Sequence, residues 1–326
     1  MKPLVSVVIP TYNRSEMLCQ CIRSVLASDW GNLEVIIADD CSPDDTAQRV
    51  RELARGDMRV KYARTPENGF TSAARNCGAK VAKGKYLFFI DDDNELEPMA
   101  ISEMMACFAR HPKATFVAPM TMHRRKDGQL IVWSLGCTFD PWTTIIHEYL
   151  KNTPLDKIPA RIDYPTTCAP NAFAVTRDAF DKVDGFDAGY GMQFDETDFG
   201  LRTTKGLGTE GYFCAKARTL HLGYLDSAEV GLLRALGMGN PRRAYCFGRN
   251  RVKFARRHFS FVQALICAFV AAPASAVHYG FMALKCKHPD IAFAYFKGTL
   301  AGMFGIYLSK FYSAFDNSSC SMPFHS

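Results

Sequence analysis

The sequence has no Cys-x-x-Cys pair, although it carries 12 cysteines among 326 residues. That absence argues against a zinc ribbon and against a thioredoxin-type redox site. Scattered cysteines such as Cys77 and Cys107, set among small and apolar residues, do not make a disulfide scaffold. They read as reduced core side chains, which favours the cytosol. A strong charge of one sign is also missing: 39 Lys and Arg against 33 Asp and Glu leave a formal net charge of +6. With 48% hydrophobic and 22% charged residues, the chain is globular and not disordered. No signal-peptide core opens it, because the apolar run Leu4–Ile9 is too short and reads as a strand. No glycine fingerprint follows that run, where Ile9-Pro10-Thr11-Tyr12 stands instead. The one G-x-G-x-x-G match, Gly206 to Gly211, follows a helical pattern and precedes a strand pattern. Dinucleotide binding needs the reverse order, so this stretch reads as a helix C-cap and loop.

What is present is a regular alternation. Strand patterns at Leu4–Ile9, Leu33–Ala38, Val60–Ala63, Tyr86–Ile90 and Thr115–Pro119 are separated by helical spacing at Ser15–Ser28, Phe70–Ala82 and Glu97–His111. A further helix is expected after Ser42-Pro43-Asp44-Asp45, with Ser42 as N-cap and Pro43 in the first helical position. Such alternation predicts an α/β fold, a mostly parallel sheet flanked by helices.

Two of these strands end in carboxylates. Tyr86–Ile90 runs straight into Asp91-Asp92-Asp93, and Leu33–Ala38 into Asp39-Asp40. Strand C-terminal ends are where open α/β sheets bind ligands. Three adjacent carboxylates repel one another unless a cation offsets them, and hard oxygen donors suit Mg²⁺ or Mn²⁺, which commonly sit on phosphates. Asp39 can accept the ring N–H of uracil, thymine or guanine. Tyr12 and Arg14, just after the first strand, lie where they can stack on or reach the same nucleotide. The competing readings are a solvated acidic turn for the triplet and a helix N-terminal acid pair for Asp39-Asp40.

Four blocks occur in order: Val5 to Arg14, Ile36 to Ser42, Ala73 to Gly78, and Asp91 to Asp93. Together they resemble glycosyltransferase family 2, over roughly residues 1 to 225. The resemblance implies a GT-A fold, a nucleoside-diphosphate-sugar donor, a divalent metal (Mn²⁺ or Mg²⁺) and inversion at the anomeric carbon. It implies that Pro10, Thr11, Tyr12, Arg14, Asp39, Arg75 and Asp92 line the donor site, with Asp39 reading the base. It places Asp91 and Asp93 on the metal, joined by His221, where the family commonly has a histidine. The family's Glu-Asp-x-Asp motif falls on Asp195-Glu196-Thr197-Asp198, with the first two acid types exchanged. Its second acid is the usual base, which points to Glu196; Asp195 stays the alternative. A helix starting near Asp195 sets Asp195 and Asp198 side by side and turns Glu196 elsewhere.

Between these blocks, His123 to Gly128 suggests a hairpin turn, and Trp133, Phe139, Trp142 and Tyr149 read as packed aromatics rather than sugar platforms. The last hundred residues, 226–326, form a separate basic and hydrophobic region. Arg242 to Arg257 carries seven Lys and Arg and no acid, and Phe259 to Leu284 carries no charge. A second apolar run covers Ile291 to Leu308. A lipid-length run beside a basic cluster argues for a membrane, spanned by these helices or carrying them on its surface, over a helical hairpin packed on the catalytic domain, and against nucleic acid. The reading is therefore an inverting glycosyltransferase on the cytoplasmic side of a membrane, acting on a lipid-linked or cell-surface glycan. A non-catalytic membrane-anchored sugar-binding protein and a nucleotide-dependent oxidoreductase are the rivals.

Overall fold

A computed structural model describes residues 2–305, apart from 126, 141, 143–145, 160–161, 223–232 and 234–237. The first four strands are β1 (Val5–Thr11), β2 (Leu33–Asp39), β3 (Val60–Arg64) and β4 (Tyr86–Ile90). They lie parallel in the order β4-β1-β2-β3. Every residue of β1 and β2 is buried, which is why these segments read as unbroken apolar runs rather than alternating ones. Helices α1 (Ser15–Leu26) and α4 (Ala100–Arg110) cover one face, where Leu18, Ile22, Met104 and Phe108 meet Val7, Ile9 and Val35. Helix α3 (Phe70–Val81) covers the other, while α2 (Thr46–Gly56) packs on the first face beside α1, through Val50, Leu53 and Ala54. A Cβ on Gly78 would lie 2.5 Å from Val8 Cγ1, so only glycine lets α3 come this close to the sheet.

The remaining strands are β5 (Asn94–Leu96), β6 (Ala114–Arg124), β7 (Leu130–Ser134), β8 (Cys137–Phe139), β9 (Ile146–Glu148), β10 (Asp163–Thr166), β11 (Ala172–Thr176) and β12 (Glu210–His221). β11 inserts antiparallel between β4 and β6, and β12 runs parallel to β6. The sheet is thus parallel in its N-terminal half and mixed beyond it. The expected hairpin turn joins β6 to β7, with Gly128 at φ +84°. Gly206 to Gly211 follows a helix, α6 (Asp195–Thr204), and leads into β12, as its context implied.

Three features differ from the expectation, two of them helix boundaries. α2 starts at Thr46, not Ser42. Ser42 serves the strand ends instead: its N–H donates to Asp39 Oδ1 (2.8 Å) and its hydroxyl accepts from the Asn13 N–H (3.0 Å), while Asp44 Oδ1 accepts from the Thr46 N–H (3.1 Å). α4 starts only after Pro98, although Met104, Met105 and Phe108 face inward as expected. Near its end, Cys107, His111 and Asp163 cluster with metal-like donors. Arg110 already supplies the positive charge there, donating twice to Asp163 at 2.8 Å. Burial disfavours the Asp163 charge, but Arg110 and His111 outweigh it and hold the carboxyl at about 2.

The third difference is the basic run. α7 (Pro241–His258) was expected to offer its charges to a membrane. Arg249 and Arg251 are instead buried, Lys253 and Arg257 both pair with Asp187, and Arg242 lies over the Phe70 ring. The run is spent mainly on fastening α7 to the rest of the protein, since buried charges need partners. Short α5 (Arg177–Lys182) links β11 to the segment that α7 contacts. The chain then continues through α8 (Phe261–Ile266), a π-helical turn (Cys267–Ala271), α9 (Ala272–Lys285) and α10 (Pro289–Phe304). Pro273 has no N–H and its ring crowds the carbonyl four residues back, and the π-turn absorbs that misfit. α10 packs backbone to backbone on α7: a Cβ on Gly298 would lie 2.1 Å from Tyr245 O. The expected boundary at 225/226 lies outside the described residues.

Replacing Gly78 by Val forces a side chain into the α3–sheet contact. We expect a loss of about 1–3 kcal/mol in urea unfolding; an unchanged midpoint would contradict the close packing described.

Candidate active site

The acids at the strand ends converge because β1, β2 and β4 are adjacent and parallel, so all three deliver their C-termini to one edge. Asp92 is buried; its Oδ2 accepts from Thr11 Oγ1 (2.7 Å) and its Oδ1 pairs with Arg14 Nη1 (3.1 Å). The same Arg14 nitrogen meets Asp93 Oδ2 at 3.1 Å. Burial pushes the Asp92 carboxyl up to about 7 against the pull of Arg14. His221, at the end of β12, brings Nε2 to 3.4 Å from Asp93 Oδ1, and its ring stands edge-on to Trp133 at 4.2 Å. Pro10 is buried in β1 opposite Ala38, and Tyr12 is exposed just beyond. Of the other aromatics, Trp142 and Tyr149 are exposed.

Asp39 is held by a separate set. Its buried carboxylate accepts from the Ser42 N–H, the Tyr62 hydroxyl and Arg64 Nη1 (2.9 Å for the last). Tyr62 and Arg64 were not singled out from the sequence. They lie at the end of β3, a short strand of mixed polarity that is only partly buried, so the rule that drew attention to Asp39, a polar residue ending a buried apolar run, marks Arg64 only weakly. Neighbouring Asp40 accepts from the Gly69 and Phe70 N–H groups at 2.9 and 2.7 Å, and so anchors the start of α3.

Arg75, on α3, joins the strand ends to α6. It is fully buried, and its Nη2 lies 2.8 Å from both Asp91 Oδ1 and Glu196 Oε1, with Asp195 Oδ2 3.4 Å from Nη1. Burial opposes the guanidinium charge, but the three carboxylates outweigh it and raise its pKa. Asp195 is buried and also accepts from Ser72 Oγ (3.0 Å). The Glu196 side chain keeps 26% of its surface exposed. Of the two candidate bases, only Glu196 therefore presents its carboxylate to the cleft. Desolvation and then Asp195 push the Glu196 carboxyl up to about 7. Asp198 does not join this group. It faces the other way, to Arg202 and His258.

Asp91, Asp92, Asp93, Asp195 and Glu196 are thus held together by Arg14 and Arg75. Burial first, and then the neighbouring carboxylates, raise the pKa values of Asp92, Asp195 and Glu196. Hard oxygens from Asp91 and Asp93 and one imidazole are donors of the type that suits a divalent cation of the Mn²⁺ or Mg²⁺ class, but here only Asp93 meets His221, while Asp91 is turned to Arg75.

The turn leading to Asp195 is strained. Gly191, Gln193 and Phe194 have φ of +69°, +68° and +65°. For the two non-glycine residues this costs about 1–2 kcal/mol each.

Residues 6–182, just over half of the chain, match the family model described as glycosyl transferase family 2. A putative colanic acid biosynthesis glycosyl transferase of Escherichia coli K12 is 38% identical over 104 residues, 32% of this chain and 37% of the relative. A GalNAc(5)-diNAcBac-PP-undecaprenol beta-1,3-glucosyltransferase of Campylobacter jejuni is 38% identical over 105 residues, 32% of this chain and 34% of the relative. Glycosyltransferase GlyG of Streptococcus pneumoniae is 34% identical over 151 residues, 46% and 50% of the two chains. The matched stretch therefore spans half or less of these relatives. Among solved structures, GalNAc-T7 with UDP, GalNAc and Mn²⁺ superposes with a TM-score of 0.57 at 18% identity, covering 85% of this chain and 58% of that one. A Pyrobaculum calidifontis mannosyltransferase with GDP-Man and Mn²⁺ gives 0.54 at 13% identity, covering 94% and 88%. At such identities the likeness is one of fold.

The raised pKa of Glu196 has a consequence for stability. The group's contribution is fully present below its unfolded value of 4.5 and is lost as pH rises through about 7. From about pH 5 to about pH 8, metal-free protein should lose about 2 kcal/mol in urea unfolding. Glu196→Gln should flatten that dependence; an unaltered slope would place the titration elsewhere.

Proposed function

Since the chain belongs to glycosyl transferase family 2 and has the GT-A fold, we propose that it is an inverting enzyme working at a membrane surface. It moves a sugar from a nucleoside-diphosphate donor to a hydroxyl of a lipid-linked or cell-surface glycan, in polysaccharide biosynthesis. The observation that carries this reading is the Arg75 guanidinium, which lies 2.8 Å from both Asp91 and Glu196. It ties the carboxylate assigned to the diphosphate end to the carboxylate assigned to the acceptor end.

In this reading the base of the nucleotide is read at Asp39 and Arg64, and Arg64 is the more exposed of the two. Thr11, Tyr12, Arg14 and Asp92 shape the path from base to diphosphate, with Pro10 and Arg75 behind them. Asp91, Asp93 and His221 would hold Mn²⁺ or Mg²⁺, which when bound neutralises charge on the leaving diphosphate. Glu196 removes the proton from the acceptor hydroxyl as that oxygen bonds to the anomeric carbon and the carbon–phosphate-oxygen bond breaks. Asp195, buried on Ser72 and Arg75, orients this end rather than taking the proton.

Residues 1–225 are assigned to transfer and 226–326 to membrane contact on the cytoplasmic side. The support is the exposed face of the last helices. Phe261–Lys285 is long and apolar enough to cross a bilayer, and little of it is buried. Phe269, Val277 and Phe281 on this segment and Phe293, Phe296 and Phe304 on α10 point outward, whereas Ala276, Ala283, Ala294 and Gly298 face inward. Large apolar residues outside and small ones inside is the pattern of lipid-facing helices. The Campylobacter jejuni relative, named for an undecaprenol-linked substrate, supports a lipid-linked acceptor.

A screen of UDP-, dTDP- and GDP-sugars with Mn²⁺ should find one donor that releases its nucleoside diphosphate, and EDTA should abolish that release. Glu196→Gln should lower turnover by about 10²–10⁴-fold with nucleotide binding retained, and full activity in this variant would exclude Glu196 as the base. Phe269→Glu with Phe293→Glu should reduce co-sedimentation with anionic vesicles by at least roughly tenfold, since each buried Phe contributes about 1.5–3 kcal/mol. Undiminished binding would remove these faces as the membrane contact.

A further inference from the structure

Five successive carbonyls, Gly189 to Gln193, are captured from outside their own turn. Arg249 Nη2 donates to Gly189 O and Tyr190 O, each at 2.9 Å. Asn250 Nδ2 lies 2.9, 2.7 and 3.0 Å from Tyr190 O, Met192 O and Gln193 O, so its two hydrogens are shared among three acceptors. Gly191 O accepts from Ser72 Oγ at 3.1 Å, and the same hydroxyl lies 3.0 Å from Asp195 Oδ2.

A turn with positive φ at Gly191, Gln193 and Phe194 persists only where its surroundings over-determine it. Here Arg249 and Asn250 do so, and both are buried. The next residue, Phe194, is the N-cap of α6 and packs on Phe247 and Phe254 of α7. One turn further, Asp198 is tied to His258 Nε2 at 2.8 Å. Helix α7 therefore grips the chain on both sides of Asp195 and Glu196 without touching either carboxylate.

We propose that Arg249 and Asn250 are positioning residues for sugar transfer: they set the path of the 189–194 turn and so the direction in which Glu196 presents its carboxylate. This rests on the reading of Glu196 as the base. It also makes α7, drawn from the basic run that follows the family-matched segment, a structural part of the active site.

The test uses the full chain with Asn250→Asp, nearly isosteric but unable to donate, and Asn250→Ala. With the donor that the wild type turns over, kcat should fall by about 30-fold or more while the affinity for that donor's own nucleoside diphosphate with Mn²⁺ changes by less than about twofold, because misaligning a reacting group by an ångström costs on the order of 10²-fold. Amide hydrogen exchange of the metal-free protein should quicken across residues 190–198 and not in β1 or β2. Arg249→Lys, which keeps the charge and one donor, should retain more turnover than Arg249→Met. Unchanged turnover and exchange would overturn the proposal. So would a parallel fall in turnover, nucleoside-diphosphate affinity and melting temperature, which marks a general structural role. A wild-type protein that turns over no donor contradicts the proposed function instead, and the exchange comparison then decides the positioning claim by itself.

Discussion

The buried guanidinium of Arg75 is the contact on which the rest of the cleft depends. It lies against the ends of two elements far apart in sequence, the strand end at Asp91 and the helix start at Asp195 and Glu196. Without it three carboxylates would meet in a poorly hydrated space, and like charges there raise one another's pKa until protons are taken up. A planar group with several fixed donors suits this task, and Lys cannot reproduce the geometry. The remaining negative charge is of the kind that a divalent cation would offset.

A second constraint is backbone strain. The segment entering α6 adopts left-handed conformations at non-glycine positions, and α7 holds it there by hydrogen bonds to its carbonyls. α7 in turn is pressed against α10 through close helix contact at Gly298. The helices with exposed apolar faces and the turn leading to Glu196 thus share a neighbour. A rigid scaffold carrying a strained functional segment is the arrangement expected where orientation matters.

Much of the N-terminal half was legible in the sequence. The apolar runs at Leu33 to Ala38 and Tyr86 to Ile90 read as buried strands, and the Asp residues ending them marked the edge where open α/β sheets bind ligands. Asp195 and Glu196 could be picked out as a pair, yet which one faces the cleft could not be read. That depends on Ser72 and Arg75 closing over Asp195, contacts more than a hundred residues apart. Tyr62 and Arg64 were missed because a short strand of mixed polarity gives a weak pattern. The basic run in α7 was misread because charge near an apolar stretch suggests a lipid surface, and sequence does not say that Asp187, Asp198 and a row of carbonyls lie within reach.

By itself, then, the sequence determined the α/β architecture of the first half, the family, and the carboxylates at the strand ends. Those properties follow from local periodicity and from residue types at strand termini, which neighbouring residues largely specify. Only the tertiary structure decided how the acids are shared between two arginines, that Glu196 rather than Asp195 keeps an exposed side chain, and that the C-terminal basic helix braces the turn leading to them. These are outcomes of long-range packing, where burial and partner geometry, not local pattern, set the energy of each charged group.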